Sequence, residues 1–437
     1  MKKLLLTLLF LLTALSVFGC AEDTDTDKTE IMFWHMSPVG SPSYSGMKTL
    51  INDFNDSQDL YVVKGIGFSF WDYWDKISVA IASRTAPNIG LSTIDDVVSR
   101  ASTGALFDIT TLMENDTTGV NTIDLNEYRQ SQMDFATFEG DLYAMPFTAT
   151  TRALYYNLDM FREIGLTEDD VPETWSELKT VAKMFDKVDT DGTIERLGFD
   201  PTYGDATYHG WLWETGLDFF DENLNPTLNT QGHVDVLNWI LDFNSNFTRS
   251  QLSAFGEANT MLGLNPFAAE RVAMIIGNDG LYQTIINSGA TFDYGVSMIP
   301  IPDENGIHVN WGSGFSLEMY DNGNNTEAEI QGAFEFYKYL LSEDVQIQLA
   351  EINGWIMGHI DGMNEYVKDK PIMQALLAEV DYARDKVYVP YAPSWHGNDW
   401  QSYYTQILNG ELTPEEGLLA ARNHYLEKQQ NYNSVNN

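Results

Sequence analysis

The chain has 437 residues, a net charge of −40 and a single cysteine, and it is 43% hydrophobic and 13% aromatic. That is length for two or three domains around a sizeable core, without an internal disulfide to support it. The charge repels nucleic-acid phosphates and anionic lipid surfaces, so neither is an expected partner.

Met1-Lys2-Lys3 is a basic start, Leu4 to Phe18 an apolar run, and Gly19-Cys20 a small residue before the lone thiol. This layout is that of a secretory signal, and its apolar run is shorter than the roughly 20 residues a spanning helix needs. Val17-Phe18-Gly19-Cys20 reads as a relaxed lipobox. Residues 1–19 are therefore expected to be removed and Cys20 acylated, leaving the protein tethered outside the cytoplasmic membrane. Residues 20–30, the lipidated cysteine and the hydrophilic run that follows, then form a stalk.

Ile31 to Trp34 reads as a first strand, and Met47, Leu50, Ile51 and Phe54 recur at helical spacing. Leu60 to Val63 is a second strand, Trp74, Ile77 and Ile81 mark a second helix, and Ile89 to Leu91 a third strand. Strand alternating with helix indicates an α/β domain with a largely parallel sheet. Ala153 to Tyr156 is strand-like. Thr174 and Glu177 have capping-box spacing at a helix start. Residues 233–247 and 329–350 carry helical periodicity, Arg271–Ile276 and Tyr294–Ile299 read as strands, and Thr413-Pro414 opens a last helix. Between these, Lys187 to Gly198 partly matches a calcium loop through Asp189, Asp191 and Gly192. Its end positions, Lys187 and Gly198, supply no carboxylate, so a β-turn is the reading.

Several segments, in order, resemble the solute-binding lipoproteins of carbohydrate ABC importers, the maltose-binding type. They are Ile31-Met32-Phe33-Trp34-His35, Ala80 to Ile89, Phe138 to Phe147 with Leu154-Tyr155-Tyr156-Asn157, Glu163 to Leu166 with Pro172 to Leu178, Phe292 to Val296, and Phe334 to Leu340. The resemblance implies an α/β, two-lobed periplasmic-binding-protein fold of type II with a ligand cleft between discontinuous lobes. By alignment the chain crosses between lobes near Met145-Pro146, Tyr294–Pro300 and Ile360–Tyr366. Residues 31–145 with 296–360 then form one lobe, 146–295 with 361–430 the other, and 431–437 a disordered tail.

A sugar needs aromatic plates for its C–H faces and fixed polar groups for its hydroxyls. Of the 11 tryptophans, Trp34, Trp74, Trp175 and Trp239 lie on periodic elements and read as core. Trp71, Trp213, Trp311, Trp355 and Trp395 are the candidate plates, the last three beside glycine or proline in loops. The resemblance adds His35 and Ser37 after the first strand, Asp95 after the third, and Thr150 and Arg152 past the first crossing. It also adds Gly312 and Ser313 in the second-lobe return. It carries two departures. The turn Gly277-Asn278-Asp279-Gly280 and Ser92 stand where maltose-type relatives have tryptophan, which leaves the sugar open.

No GxSxG elbow, HExxH helix or phosphate-binding GK[ST] loop occurs, and the seven histidines are scattered. The expectation is a monomeric, non-enzymatic receptor without metal or cofactor. It binds a neutral or weakly charged saccharide by lobe closure and delivers it to an ABC permease. Alternatives are a receptor for glycerol phosphate or another small polar solute, and, as a different class, a secreted glycoside hydrolase acting through two cleft carboxylates.

Overall fold

A computed structural model describes residues 28–312 and 314–436. The signal, Cys20 and Ser313 lie outside these residues. The chain builds β1 (Thr29–His35), α1 (Tyr44–Asp56), β2 (Tyr61–Gly67), α2 (Phe70–Ala82), β3 (Ile89–Thr93) and β4 (Ala144–Pro146). β5 (Arg152–Asn157), α3 (Trp175–Lys183), α4 (Tyr208–Glu214) and α5 (Gln231–Phe243) follow, then β6 (Met274–Asn278), α6 (Asp279–Ser288) and β7 (Tyr294–Ser297). β8 (Asn310–Trp311), β9 (Phe315–Met319), α7 (Glu327–Leu341), α8 (Glu343–Asn353), α9 (Ile360–Tyr366) and α10 (Pro371–Glu379) come next. β10 (Ala383–Arg384), α11 (Trp400–Leu408) and α12 (Pro414–Asn436) lie toward the C-terminus.

Two sheets define two lobes. The first has strand order β2-β1-β3-β9-β4, with β1 parallel to β2 and β3 and with β9 antiparallel to β3 and β4. The second, β6-β5-β7, is wholly antiparallel, so the parallel expectation holds only for β1, β2 and β3. Alternation along β1 buries Ile31, Phe33 and His35. Ile31 and Phe33 pack with Ile89, Leu91, Leu317 and Leu340 in the first-lobe core. The second lobe buries Trp211, Trp213, Phe219, Leu237, Trp395, Trp400 and Tyr425. Thr174 caps α3 with Glu177 in the capping box that the sequence indicated. The 329–350 stretch divides into α7 and α8 at Ser342, whose extended ψ of 147° breaks the helix.

Several boundaries differ from expectation. Thr29 and Glu30 pair with β2, so the last residues of the expected stalk are strand. α12 runs through 431–436, where a disordered tail was expected. Ser297 still pairs with Leu154, so the return crossing begins after β7. α9 packs on α8, whereas α10 packs on β7, β5 and α6, which puts the third crossing between α9 and α10. The 187–196 segment is a hairpin whose turn is closed by Asp189 and Asp191 accepting N–H groups of Asp191 and Thr193.

The crossings are tied together by one side chain. Asn310 is buried, its Oδ1 accepts from Thr151 Oγ1 at 2.9 Å and Arg152 N at 3.2 Å, and its Nδ2 donates to Glu379 O at 2.9 Å. Among the described residues no helix is long and apolar enough to cross a membrane.

Candidate ligand cleft between the lobes

A cavity of about 540 Å³ lies between the sheets. Its first-lobe wall is aromatic: Phe70 and Trp74 from α2, Phe315 at the start of β9, and Trp355 after α8. The rings support one another, with centroids 5.9 Å apart for Phe70–Trp74, 5.5 Å for Trp74–Phe315 and 5.4 Å for Phe315–Trp355. Such a surface offers apolar faces at low entropic cost, because short aromatic side chains are held by neighbouring rings.

The second-lobe wall is polar. Arg152 opens β5 and is the cross-strand partner of Asn278 at the end of β6. Both line the cavity with Thr150, Asp205, Asp279 and Gly280. The Arg152 guanidinium lies 4.0 Å from the Trp311 ring centroid, and its Nη1 donates to Trp311 O at 3.3 Å. Trp311 Nε1 donates in turn to Asp205 O at 3.2 Å. Asp205 accepts from Asn278 N at 2.8 Å, and Asp279 accepts from Ile356 N, across the lobes, at 2.8 Å. Burial pushes the Asp279 carboxyl up to about 6, against the opposing pull of the Ile356 N–H and Arg152.

Beside the cavity Asp95 and Lys386 form a buried ion pair at 3.1 Å. Burial alone raises the Asp95 carboxyl, but Lys386, by charge and hydrogen bond, holds it below the ordinary value. Burial and the Asp95 charge push neighbouring Asp385 up to about 7, and its Oδ1 has no hydrogen-bond partner. A smaller cavity of about 290 Å³ adjoins, lined by Thr150, Gly312, Arg384 and Asp385 among others.

Of the sequence candidates, Thr150, Arg152 and Trp355 line the main cavity. Trp311 lies behind Arg152 as its support. The others are placed elsewhere. His35 and Ser37 are buried and bonded to each other, Ser37 N donating to His35 Nδ1 at 3.2 Å. Burial pushes that imidazole down to about 4. Trp213 is core, its Nε1 donating to Asp218 and its ring faced by Arg384. Trp395 is core, its Nε1 donating to Val387 O. Trp71 is 79% exposed, outside the cavity but in ring contact with Phe70. Asp95 is engaged by Lys386. Gly312 serves chain packing: a Cβ there would meet Thr150 O at 2.6 Å. Trp74, read as core from its helical spacing, is a cavity wall, because α2 turns that edge toward the second lobe. The 277–280 turn, without its expected tryptophan, still lines the cavity through backbone and Asn278. Asp205, Phe315 and Lys386 carried no local sequence signal, since each reaches the cleft from a distant segment.

The family described as bacterial extracellular solute-binding protein matches residues 49–375. The sn-glycerol-3-phosphate-binding periplasmic protein UgpB of Agrobacterium fabrum is 25% identical over 75% of this chain and 74% of its own length. The structure of CpMnBP1 with mannotriose bound superposes with a TM-score of 0.76 at 18% identity, covering 91% of this chain and all of that one. An ABC substrate-binding protein of Listeria monocytogenes in complex with cycloalternan gives a TM-score of 0.75 at 18% identity over 92% of this chain and 100% of that one.

Proposed function

This chain belongs to the bacterial extracellular solute-binding proteins, and we propose that its solute is a saccharide, bound between the lobes and passed to an ABC importer permease. One observation carries the reading: four mutually supported rings face a polar wall across a cavity of about 540 Å³. Rings suit the C–H faces of a sugar, and the opposite wall supplies donors and acceptors for its hydroxyls. Ligand contact with both walls favours the closed arrangement, the hinge closure available to two-lobed receptors. The three crossings tied by Asn310 are where such a hinge would bend.

The lone Cys20 in its relaxed lipobox supports a lipid anchor, with the receptor acting as a monomer outside the cytoplasmic membrane. The glycerol-phosphate relatives give a second reading, a small phosphorylated solute; the four-ring wall favours the saccharide. Calorimetry with neutral, acidic and phosphorylated sugars beside sn-glycerol 3-phosphate tests the choice. Saccharide binding without turnover supports it. Binding of glycerol phosphate alone, or glycoside hydrolysis, contradicts it.

A further inference from the structure

The second-lobe wall holds a buried guanidinium short of hydrogen-bond acceptors. Arg152 is 7% exposed, its Nη1 makes one hydrogen bond, to a carbonyl, and its Nε makes none. No carboxylate among the described residues forms an ion pair with it. Asp205, Asp279 and Asp385 act on it by charge without touching it, and Asp205 accepts from Asn278 N and Asp279 from Ile356 N. A buried guanidinium left in this state is costly, and a bound anion relieves the cost. Asn278, directly opposite Arg152 in the strand register, is the N-cap of α6 and makes no side-chain capping bond. The Asp279 carboxylate takes up its own N–H, while Gly280 and Leu281, whose N–H groups a helix leaves without an intrahelical acceptor, line the same cavity as the guanidinium.

We infer that the saccharide carries a carboxylate, as in a hexuronate, seated between Arg152 and the N-terminus of α6. The inference rests on the saccharide reading above and narrows it. A planar guanidinium stacked on Trp311 presents a fixed fork that matches a carboxylate edge. Asp205 and Asp279 nearby favour a single negative charge over a phosphate dianion. The aromatic wall then takes the ring faces of the same residue or its neighbour.

The test is calorimetry on the wild-type chain with di- and trigalacturonate and di- and triglucuronate, each beside its neutral galactose or glucose counterpart, and with sn-glycerol 3-phosphate. At least one uronate is expected to bind about 100-fold or more tightly than its neutral counterpart, the scale of the penalty for leaving a buried polar group unsatisfied. In Arg152→Met that preference falls to within about threefold, and Arg152→Lys, which keeps charge without the fork, is intermediate. Thermal melting checks that the variants fold; if Arg152→Met does not, the paired wild-type affinities decide alone. Neutral sugars binding as tightly as every uronate overturn the inference and leave the saccharide reading standing. No saccharide binding overturns both. Glycerol phosphate binding alone, lost in Arg152→Met, transfers the anion role to phosphate and also overturns it.

Discussion

The two walls of the cleft are built from opposite chemistry. The first-lobe wall is four rings in edge-on or tilted contact, with no charged group among them. The second-lobe wall is a guanidinium on an indole, two carboxylates bound to backbone N–H groups and a helix N-terminus. The contrast teaches a division of labour. Rings gain by covering a ligand and cost little when uncovered, so they set affinity. Buried charges are costly unless matched, so they set selectivity and help decide whether the lobes are apart or together.

Changes on the charged side should therefore disturb stability or closure, and changes on the aromatic side should disturb affinity alone. The largest effect is expected from Lys386→Met. It strips Asp95 of its partner at 3.1 Å and leaves it beside Asp385. Loss of one member of a buried pair costs about 3–5 kcal/mol. The expected readout is a lower melting temperature, with a larger radius of gyration where opening relieves the carboxylates. Unchanged melting and scattering would put this pair in solvent.

Phe315→Ala comes next. It removes the ring that contacts both Trp74 and Trp355, and should weaken saccharide binding by about 2–4 kcal/mol. Trp355→Ala alone should cost about 1–3 kcal/mol. In both, melting of the unliganded protein should change far less than affinity. Equal losses in the two measurements would make these rings core rather than ligand wall.

The carboxylates give a pH dependence. Asp279 and Asp385 are raised to about 6 and about 7. Their neutral forms suit the fold, so between about pH 4 and 7 the folded chain holds more protons than the unfolded one. Stability is then greatest near the ordinary carboxyl value and falls as pH rises through 6 and 7, by roughly 3 kcal/mol for Asp279 and roughly 4 for Asp385. Asp95 runs the other way: its contribution is present above the ordinary value and is lost only in stronger acid. Melting should be higher at pH 5 than at pH 8, and Asp385→Asn should flatten the slope. A slope unchanged in that variant would assign it to the general self-repulsion of the −40 chain.

The smallest effect is expected at the far end of the chain. Cys20→Ser should release the protein from membranes while changing stability by under about 0.5 kcal/mol, with ligand affinity intact. Retention in the membrane fraction would contradict the lipid anchor.

Sequence reasoning reached local structure better than the cleft. β1, α1, α2 and the Thr174–Glu177 cap follow from periodicity and capping, which need only a few neighbouring residues. The ends of β7 and α9 did not, because sheet pairing and helix docking decide on which side of a crossing a segment falls. The need for aromatic plates was legible, but the choice among tryptophans was not. Trp213 and Trp395 sit beside loop-like sequence yet are closed over by Phe219, Phe220 and His209. Trp74 has the spacing of a core position on a helix whose edge forms the cavity. Arg152 enters the sequence reading only through its place past the first crossing. The side chain lines the cavity and has no ion-pair partner among the described residues, which only the folded neighbourhood reveals.

On this reading a saccharide held between the two walls draws them together. Small-angle scattering, recorded while a saccharide that raises the melting temperature is titrated in, tests it most directly. The radius of gyration is expected to fall with the same midpoint as the calorimetric binding curve, and Phe315→Ala is expected to shift both midpoints together. Saturable binding with no change in the radius of gyration, or with both midpoints unmoved in that variant, would contradict it.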